Sequence, residues 1–144
     1  MSEHKISLNW RKQGDFSHEG FERQHQVIVS DQTIDMAGAN TPGFVDPEQG
    51  LTFSLASCHM LTFLALAAKK RLVVAEYTDE AVGVLGQNQD GKSFVERIIL
   101  RPNVVFEGKA PEHSALLKMH DKAHEHCFIA NSVLSKVEIE VSET

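Results

Sequence analysis

The segment DPEQGLTFSLASCHMLTFLALAAKKR, residues 46–71, is the most informative part of the sequence about the fold. Asp46 suits a helix N-cap, Pro47 suits the first helical position, and Gln49 completes a capping box, so a long helix begins here. Apolar residues then fall on almost every face of this helix. It should end near Lys69-Lys70-Arg71, whose positive charges suit the negative end of the helix dipole. Because a helix that is apolar all round is usually buried, we expect it to be central to the fold.

The same stretch raises the question of a membrane span. Residues 49–68 contain no formally charged side chain and are about as long as a bilayer is thick. Polar residues nevertheless interrupt the stretch, and its continuous apolar run covers only residues 63–68. We therefore predict a helix buried inside protein, with no membrane partner.

Short extended segments precede this helix. Residues 6–10 and 26–30 have strand character, and Ile34 and Met36 continue it after a turn at Asp31-Gln32. These segments predict a small antiparallel sheet.

Two longer strands are predicted after the helix, over residues 77–85 and 93–106, joined by the turn formers Asn88-Gln89-Asp90-Gly91. A second helix should begin at Pro111-Glu112 and reach about His126. Alternation of Val137, Ile139 and Val141 with glutamates predicts a closing strand. The fold class is therefore α+β, with antiparallel strands around a long central helix.

Length and composition limit the number of domains and the kinds of partner. A chain of 144 residues predicts one domain over residues 1–144, and 42% hydrophobic with 24% charged residues is typical of a globular protein. The net charge of −6 disfavours nucleic acid as a partner, since its recognition draws on clustered Lys and Arg. The start of the chain, residues 1–6, lacks a secretory pattern, so we expect a cytoplasmic protein.

The two cysteines are the first candidates for chemistry. Cys58 lies in the middle of the long helix and Cys127 ends the later helical segment AHEHC. Either one alone is best interpreted as a small buried hydrophobe. A reactive Cys58 needs a nearby cation, because it is too far from its N-cap for the helix dipole to help. The adjacent His59 points about 100° away along the helix and is a poor source of that charge.

Three segments together resemble the OsmC-like family of osmotically inducible and organic-hydroperoxide-resistance proteins. They are Asp46-Pro47-Glu48, the helical Leu55-Ala56-Ser57-Cys58-His59-Met60, and the late stretch AHEHCFIANSV, residues 123–133. The resemblance covers nearly the whole chain. It implies an α+β fold in which two chains interlock into a homodimer, with the cysteine pair near the interface.

The resemblance also implies an activity and its residues. Cys58 would attack a hydroperoxide, organic hydroperoxides foremost, and Cys127 would resolve the sulfenic acid as a disulfide that a cellular dithiol reopens. Glu48 would be the assisting carboxylate, and no metal or organic cofactor is implied. For the assisting arginine we choose Arg23 over Arg11, since a guanidinium can hold both a thiolate and a carboxylate.

The sequence departs from the best-described branches of that family at His59 and Phe128, where an aromatic residue and a proline are usual. Two alternatives also stay open: a non-enzymatic module that binds a hydrophobic molecule at the dimer interface, and a metal site. Metal ligands could come from His120, His124, His126 and Cys127, but an exposed helix face with ordinary histidines is the simpler expectation. His25 is expected to lie on a strand rather than to point into a pocket.

Overall fold

The computed structural model describes residues 1–142. The chain forms two compact units, residues 1–50 and a second from Leu51 onward, and each is described by itself. The prediction of a single domain over residues 1–144 stays a prediction.

The first unit contains the small antiparallel sheet that the sequence predicts. Its strands are β1 (Ser7–Asn9), β2 (His25–Val29) and β3 (Gln32–Met36), in the order β1-β2-β3. The turn between β2 and β3 lies at Ser30 and Asp31, one residue earlier than predicted. Both residues have positive φ, of 48° and 65°, as a tight hairpin turn requires.

The long helix α1 (Pro47–Lys69) begins at the predicted capping box. The backbone N–H of Gln49 donates to Asp46 Oδ1 at 2.7 Å, and the backbone N–H of Asp46 donates to Gln49 Oε1 at 3.0 Å. At the other end Arg71 takes a left-handed φ of 61°, and the N–H of Leu72 returns to the carbonyl of Ala67 at 2.9 Å. This is the Schellman pattern that satisfies the last carbonyls of a helix.

In the single chain α1 buries one stripe rather than its whole surface. The buried residues recur every three or four positions and are Thr52, Leu55, His59, Phe63 and Ala67. Phe53 and Leu61 on other faces are 53% and 60% exposed. By length and composition alone α1 could also cross a membrane, a test that the core helix of a soluble protein passes as well.

The two long strands predicted after α1 are each broken in two. The observed strands are β4 (Val73–Asp79), β5 (Val82–Gln87), β6 (Ser93–Leu100) and β7 (Pro102–Glu107). β4 pairs with β7, and β5 with β6, all antiparallel, and the predicted turn joins β5 to β6. The break falls where Pro102 has no N–H to donate and where the Arg101 N–H donates instead to Asp79 Oδ1 at 2.7 Å.

The closing strand β8 (Lys136–Ile139) adds to the other edge of β6, giving the order β5-β6-β8. It runs parallel to β6, an exception to the antiparallel pairing of the other named strands. Arg97 Nη2 contacts Glu138 Oε2 at 2.7 Å across the pair.

The second helix α2 (His113–Glu125) lies between Glu112 as N-cap and His126 as C-cap, within a residue or two of its predicted bounds. Its Met119 and Ala123 pack against Phe63 and Ala67 of α1 in one core cluster. Leu55 of α1 packs against Ile98 and Leu100 of β6 in another. The fold class is α+β, as predicted.

Candidate active site

Cys58 lies on α1 and is partly buried, and Cys127 is fully buried. The sequence suggested that Cys127 lies in a helix, and this prediction is wrong. It follows the C-cap of α2 and precedes the short 3₁₀ turn Ala130–Ser132. The α2 helix ends earlier because its last carbonyls are satisfied by tighter backbone bonds, among them Cys127 N–H to the His124 carbonyl at 3.3 Å.

The structure brings the two thiols together. Cys127 Sγ lies 4.0 Å from the carbonyl oxygen of Leu55, one turn before Cys58 on α1, and accepts the Ala130 N–H at 3.4 Å. Burial raises the pKa of the Cys127 thiol, and the neighbouring Cys58 thiol raises it further through a hydrogen bond and its charge, while the Ala130 N–H opposes the shift. The raised pKa keeps the Cys127 thiol protonated, which suits a resolving rather than an attacking role.

A pair of buried histidines joins α1, where His59 directly follows Cys58, to α2. His59 Nε2 and His120 Nδ1 are 3.0 Å apart, and the two rings are nearly parallel, with an interplanar angle of 5°. His120 also stacks on Phe63, with ring centroids 4.4 Å apart. His59 is 0% and His120 1% exposed. The pair is thus a hydrogen-bonded contact between α1 and α2 inside the second unit.

Burial lowers the pKa of both histidines to about 4. For His59 the neighbouring His120 and His124 add to the shift. Both rings are therefore neutral at pH 7, so one donates the shared N–H and the other accepts it. A neutral His59 supplies no cation, in agreement with the expectation that it does not activate Cys58.

The preferred expectation for the late histidines, an exposed helix face, is wrong for His120. This histidine lies on the buried side of α2 next to Met119, because the helix turns residues 119, 120 and 123 toward α1. Among residues 1–142, no three His, Cys, Asp or Glu side chains are grouped so that they could hold a metal ion. The metal alternative therefore finds no support in the described residues.

Arg23 is in the first unit, where local contacts hold its side chain. Its Nη1 donates to the Phe21 carbonyl at 3.1 Å and its Nη2 to the His18 carbonyl at 3.4 Å, and the guanidinium carbon lies 4.2 Å from the centre of the Phe21 ring. This cation–π contact orients the guanidinium. The choice of Arg23 over Arg11 stays a prediction.

The other predicted residues are also placed. Glu48 lies in the first turn of α1. Its negative charge interacts favourably with the positive end of the helix dipole, whether or not it takes part in catalysis. His25 begins β2, as expected, and its Nδ1 contacts the Arg23 carbonyl at 2.8 Å.

Two features escaped the sequence reasoning. The first is the partnership of His59 with His120, although His59 falls in phase with Leu55 and Phe63 on the buried stripe of α1. That phase was the available signal, but nothing in the sequence named the partner 61 residues away. The second is the role of Phe21 as the platform for Arg23.

Comparison with known proteins bears on identity. A family model described as OsmC-like protein matches residues 38–142. The solved structure of an OsmC-like protein of unknown function from Vibrio cholerae is 41% identical, covers 99% of this chain and 100% of its own, and superposes with a TM-score of 0.92.

More distant structures share the fold. The organic hydroperoxide resistance protein OhrB of Bacillus subtilis is 16% identical, with a TM-score of 0.73 and 98% of both chains covered. An organic hydroperoxide resistance protein OsmC from Legionella pneumophila is 16% identical, with a TM-score of 0.69 over 99% of this chain and 96% of its own. No curated protein matches the chain. With the family model over most of its length and the Vibrio structure at 41% identity, the chain belongs to the OsmC-like family.

Proposed function

We propose that this protein is a cysteine-based peroxidase that reduces hydroperoxides, organic hydroperoxides foremost. The observation that carries the proposal is the approach of the Cys58 and Cys127 thiols inside one compact unit. Membership of the OsmC-like family supports it, as do the structural relatives whose names refer to organic hydroperoxide resistance.

The reaction has two steps. The Cys58 thiolate attacks the outer peroxide oxygen, the O–O bond breaks, and the departing alkoxide takes up a proton to leave as an alcohol. Cys58 is then a sulfenic acid. The Cys127 sulfur attacks the Cys58 sulfur and forms a disulfide, and the hydroxyl group leaves with the Cys127 proton as water.

The asymmetry between the thiols favours this order. Cys127 is buried and its pKa is raised, which disfavours the thiolate that an attack on peroxide requires. Cys58 is partly exposed, and a peroxide can reach it more readily. Cys58 is therefore proposed as the attacking thiol.

Arg23 and Glu48 are proposed to stabilise the Cys58 thiolate. Arg23 is always charged and presents a fork of donors, and the Phe21 ring already orients that fork. A cellular dithiol reductant completes the cycle by reopening the disulfide, and a reducing cytoplasm would supply it.

The homodimer is part of the same proposal. Large apolar side chains on the second unit stay exposed in the single chain, including Phe53, Leu61, Phe128 and Leu134. Such a surface is typical of an interface between subunits.

Anaerobic titration of the fully reduced protein with cumene hydroperoxide tests the activity. We expect close to one peroxide consumed per chain and the loss of both free thiols. Cys58→Ser should abolish consumption. Cys127→Ser should allow one turnover and leave a sulfenic acid that a dimedone probe labels.

The alternative of a non-enzymatic binding module predicts a different result. The wild-type protein would then consume no peroxide and keep both thiols. Equal loss of the first turnover in both cysteine variants would contradict the assigned division of labour.

A further inference from the structure

We propose that the His59–His120 hydrogen bond is a positioning element that sets α2 against α1 so that Cys127 meets Cys58. His59 and His120 touch no substrate in this proposal and act through the two thiols. The inference rests on the disulfide of the proposed function, but not on reaction with a peroxide.

The placement of the four residues supports this role. His59 directly follows Cys58 on α1. His120 precedes Cys127 by seven residues, and the backbone between them is the end of α2 and its C-cap His126. The His124 carbonyl, near the end of α2, accepts the Cys127 N–H. A shift of α2 along α1 would therefore carry Cys127 away from Cys58.

The apolar contacts between the helices do not by themselves fix that register. Phe63 and Ala67 of α1 pack against Met119 and Ala123 of α2. Hydrophobic contact is non-directional, and a small slide costs little as long as apolar area stays covered. The 3.0 Å bond between His59 and His120 is directional and holds only over a few tenths of an ångström.

The cost of burying the pair supports the same conclusion. Both rings are buried, and the outer nitrogens, His59 Nδ1 and His120 Nε2, have no hydrogen-bond partner among the described residues. Two apolar side chains of similar size would stabilise the core at least as well, since buried polar groups are expensive unless fully paired. What the histidines add is a defined geometry between the helices.

Two substitutions of His120 separate bonding from packing. His120→Phe keeps a ring against Phe63 but removes the bond to His59. His120→Asn places a polar atom where Nδ1 lies, so that the bond can be kept without an imidazole. Met119→Ala is the matched control, because it weakens the packing of α2 on α1 next to the pair and leaves the bond intact.

The measurement is the equilibrium between the Cys58–Cys127 dithiol and disulfide. The purified protein is equilibrated at pH 7 with reduced and oxidised dithiothreitol, without peroxide, and the two forms are quantified by mass after alkylation. We expect His120→Phe to lower the equilibrium constant for disulfide formation about tenfold, and His120→Asn to stay within about threefold of the wild type. Met119→Ala should lower the free energy of unfolding and leave the equilibrium constant unchanged.

Nitrogen NMR of the histidine rings gives a second readout. Long-range ¹H–¹⁵N spectra should show two neutral imidazoles, one carrying the shared N–H, in the wild type and in Met119→Ala. In His120→Phe the His59 signals should lose that hydrogen-bonded pattern. A wild-type spectrum without it would overturn the inference even if His120→Phe did not fold.

Other outcomes would also overturn it. An unchanged disulfide equilibrium in His120→Phe would do so, as would equal shifts in His120→Phe and Met119→Ala, or a wild-type protein that forms no disulfide in this buffer. The peroxide titration tests the proposed activity independently of this disulfide equilibrium. A disulfide that follows these expectations in a protein that consumes no peroxide would remove the proposed activity and leave the positioning role in place.

Discussion

At the scale of single residues, the two buried histidines make stability depend on pH. The pKa of each is about 4 in the folded protein and about 6.5 in the unfolded chain. As the pH falls, the histidines of the unfolded chain therefore bind protons before those of the folded protein. The contribution of the neutral pair to the free energy of unfolding is fully present above pH 6.5 and is lost as the pH falls toward 4. The slope should reach about 1.4 kcal/mol per pH unit for each histidine. Urea unfolding at several pH values between 7 and 4 measures it.

Other titratable groups also face the histidine pair, namely His124 of α2 and Tyr77 with its neighbour Asp79 of β4. The control variant therefore leaves these groups in place. His120→Asn should reduce the slope between pH 6.5 and 4, whereas Met119→Ala, which keeps both imidazoles, should not. Equal slopes in the wild type and His120→Asn would show that the pair does not titrate as described.

Arg23 gives a second prediction at the residue scale. If its guanidinium stabilises the Cys58 thiolate, Arg23→Ala should slow alkylation of Cys58 at neutral pH by roughly 10- to 1000-fold in a Cys127→Ser background. Arg23→Lys should restore only part of the rate, because a point charge lacks the planar fork. Phe21→Leu should give a smaller defect by releasing the guanidinium.

Arg11→Ala is the control for that series. If Arg11→Ala slows the alkylation of Cys58 and Arg23→Ala does not change it, the role passes to Arg11. Unchanged rates in both variants would remove arginine activation from the mechanism.

At the scale of elements, α1 depends on its reciprocal cap. Asp46→Ala removes the oxygen that accepts the Gln49 N–H at 2.7 Å and leaves that donor unsatisfied. We expect a loss of about 1 kcal/mol in the free energy of unfolding. Asp121→Ala, an exposed acid within α2, should change it by less than about 0.5 kcal/mol. Comparable losses in the two variants would mean that the cap contributes nothing specific.

At the scale of the whole molecule, the exposed apolar faces of α1 predict association. Light scattering of dilute protein should report two chains, since obligate interfaces bury large apolar areas. Leu61→Glu, at a side chain 60% exposed in the single chain, should dissociate or unfold the protein. Lys69→Glu changes the charge at the end of the same helix without removing apolar surface. Light scattering of this variant should report two chains, as for the wild type. A stable folded wild-type monomer would contradict the proposed assembly.

The elements whose causes are local could be predicted from the sequence. The capping box at Asp46, the glycine-containing turn before β6 and the alternating strands of the first unit all follow from interactions within a few residues, and the structure contains each of them. Strand breaks were less predictable. Pro102 marks one break in the sequence, but the companion break after Asp79 depends on the bond from the Arg101 N–H.

The contacts between residues far apart in the sequence depend on the folded chain. The parallel pairing of β8 with β6 and the bond between His59 and His120 join positions dozens of residues apart. Periodicity shows which side of a helix is buried but not what it is buried against, because many partners satisfy the same apolar pattern. The two thiols could be paired from the sequence only through family resemblance. Their approach in space is set by the packing of α2 on α1, which is a property of the folded chain.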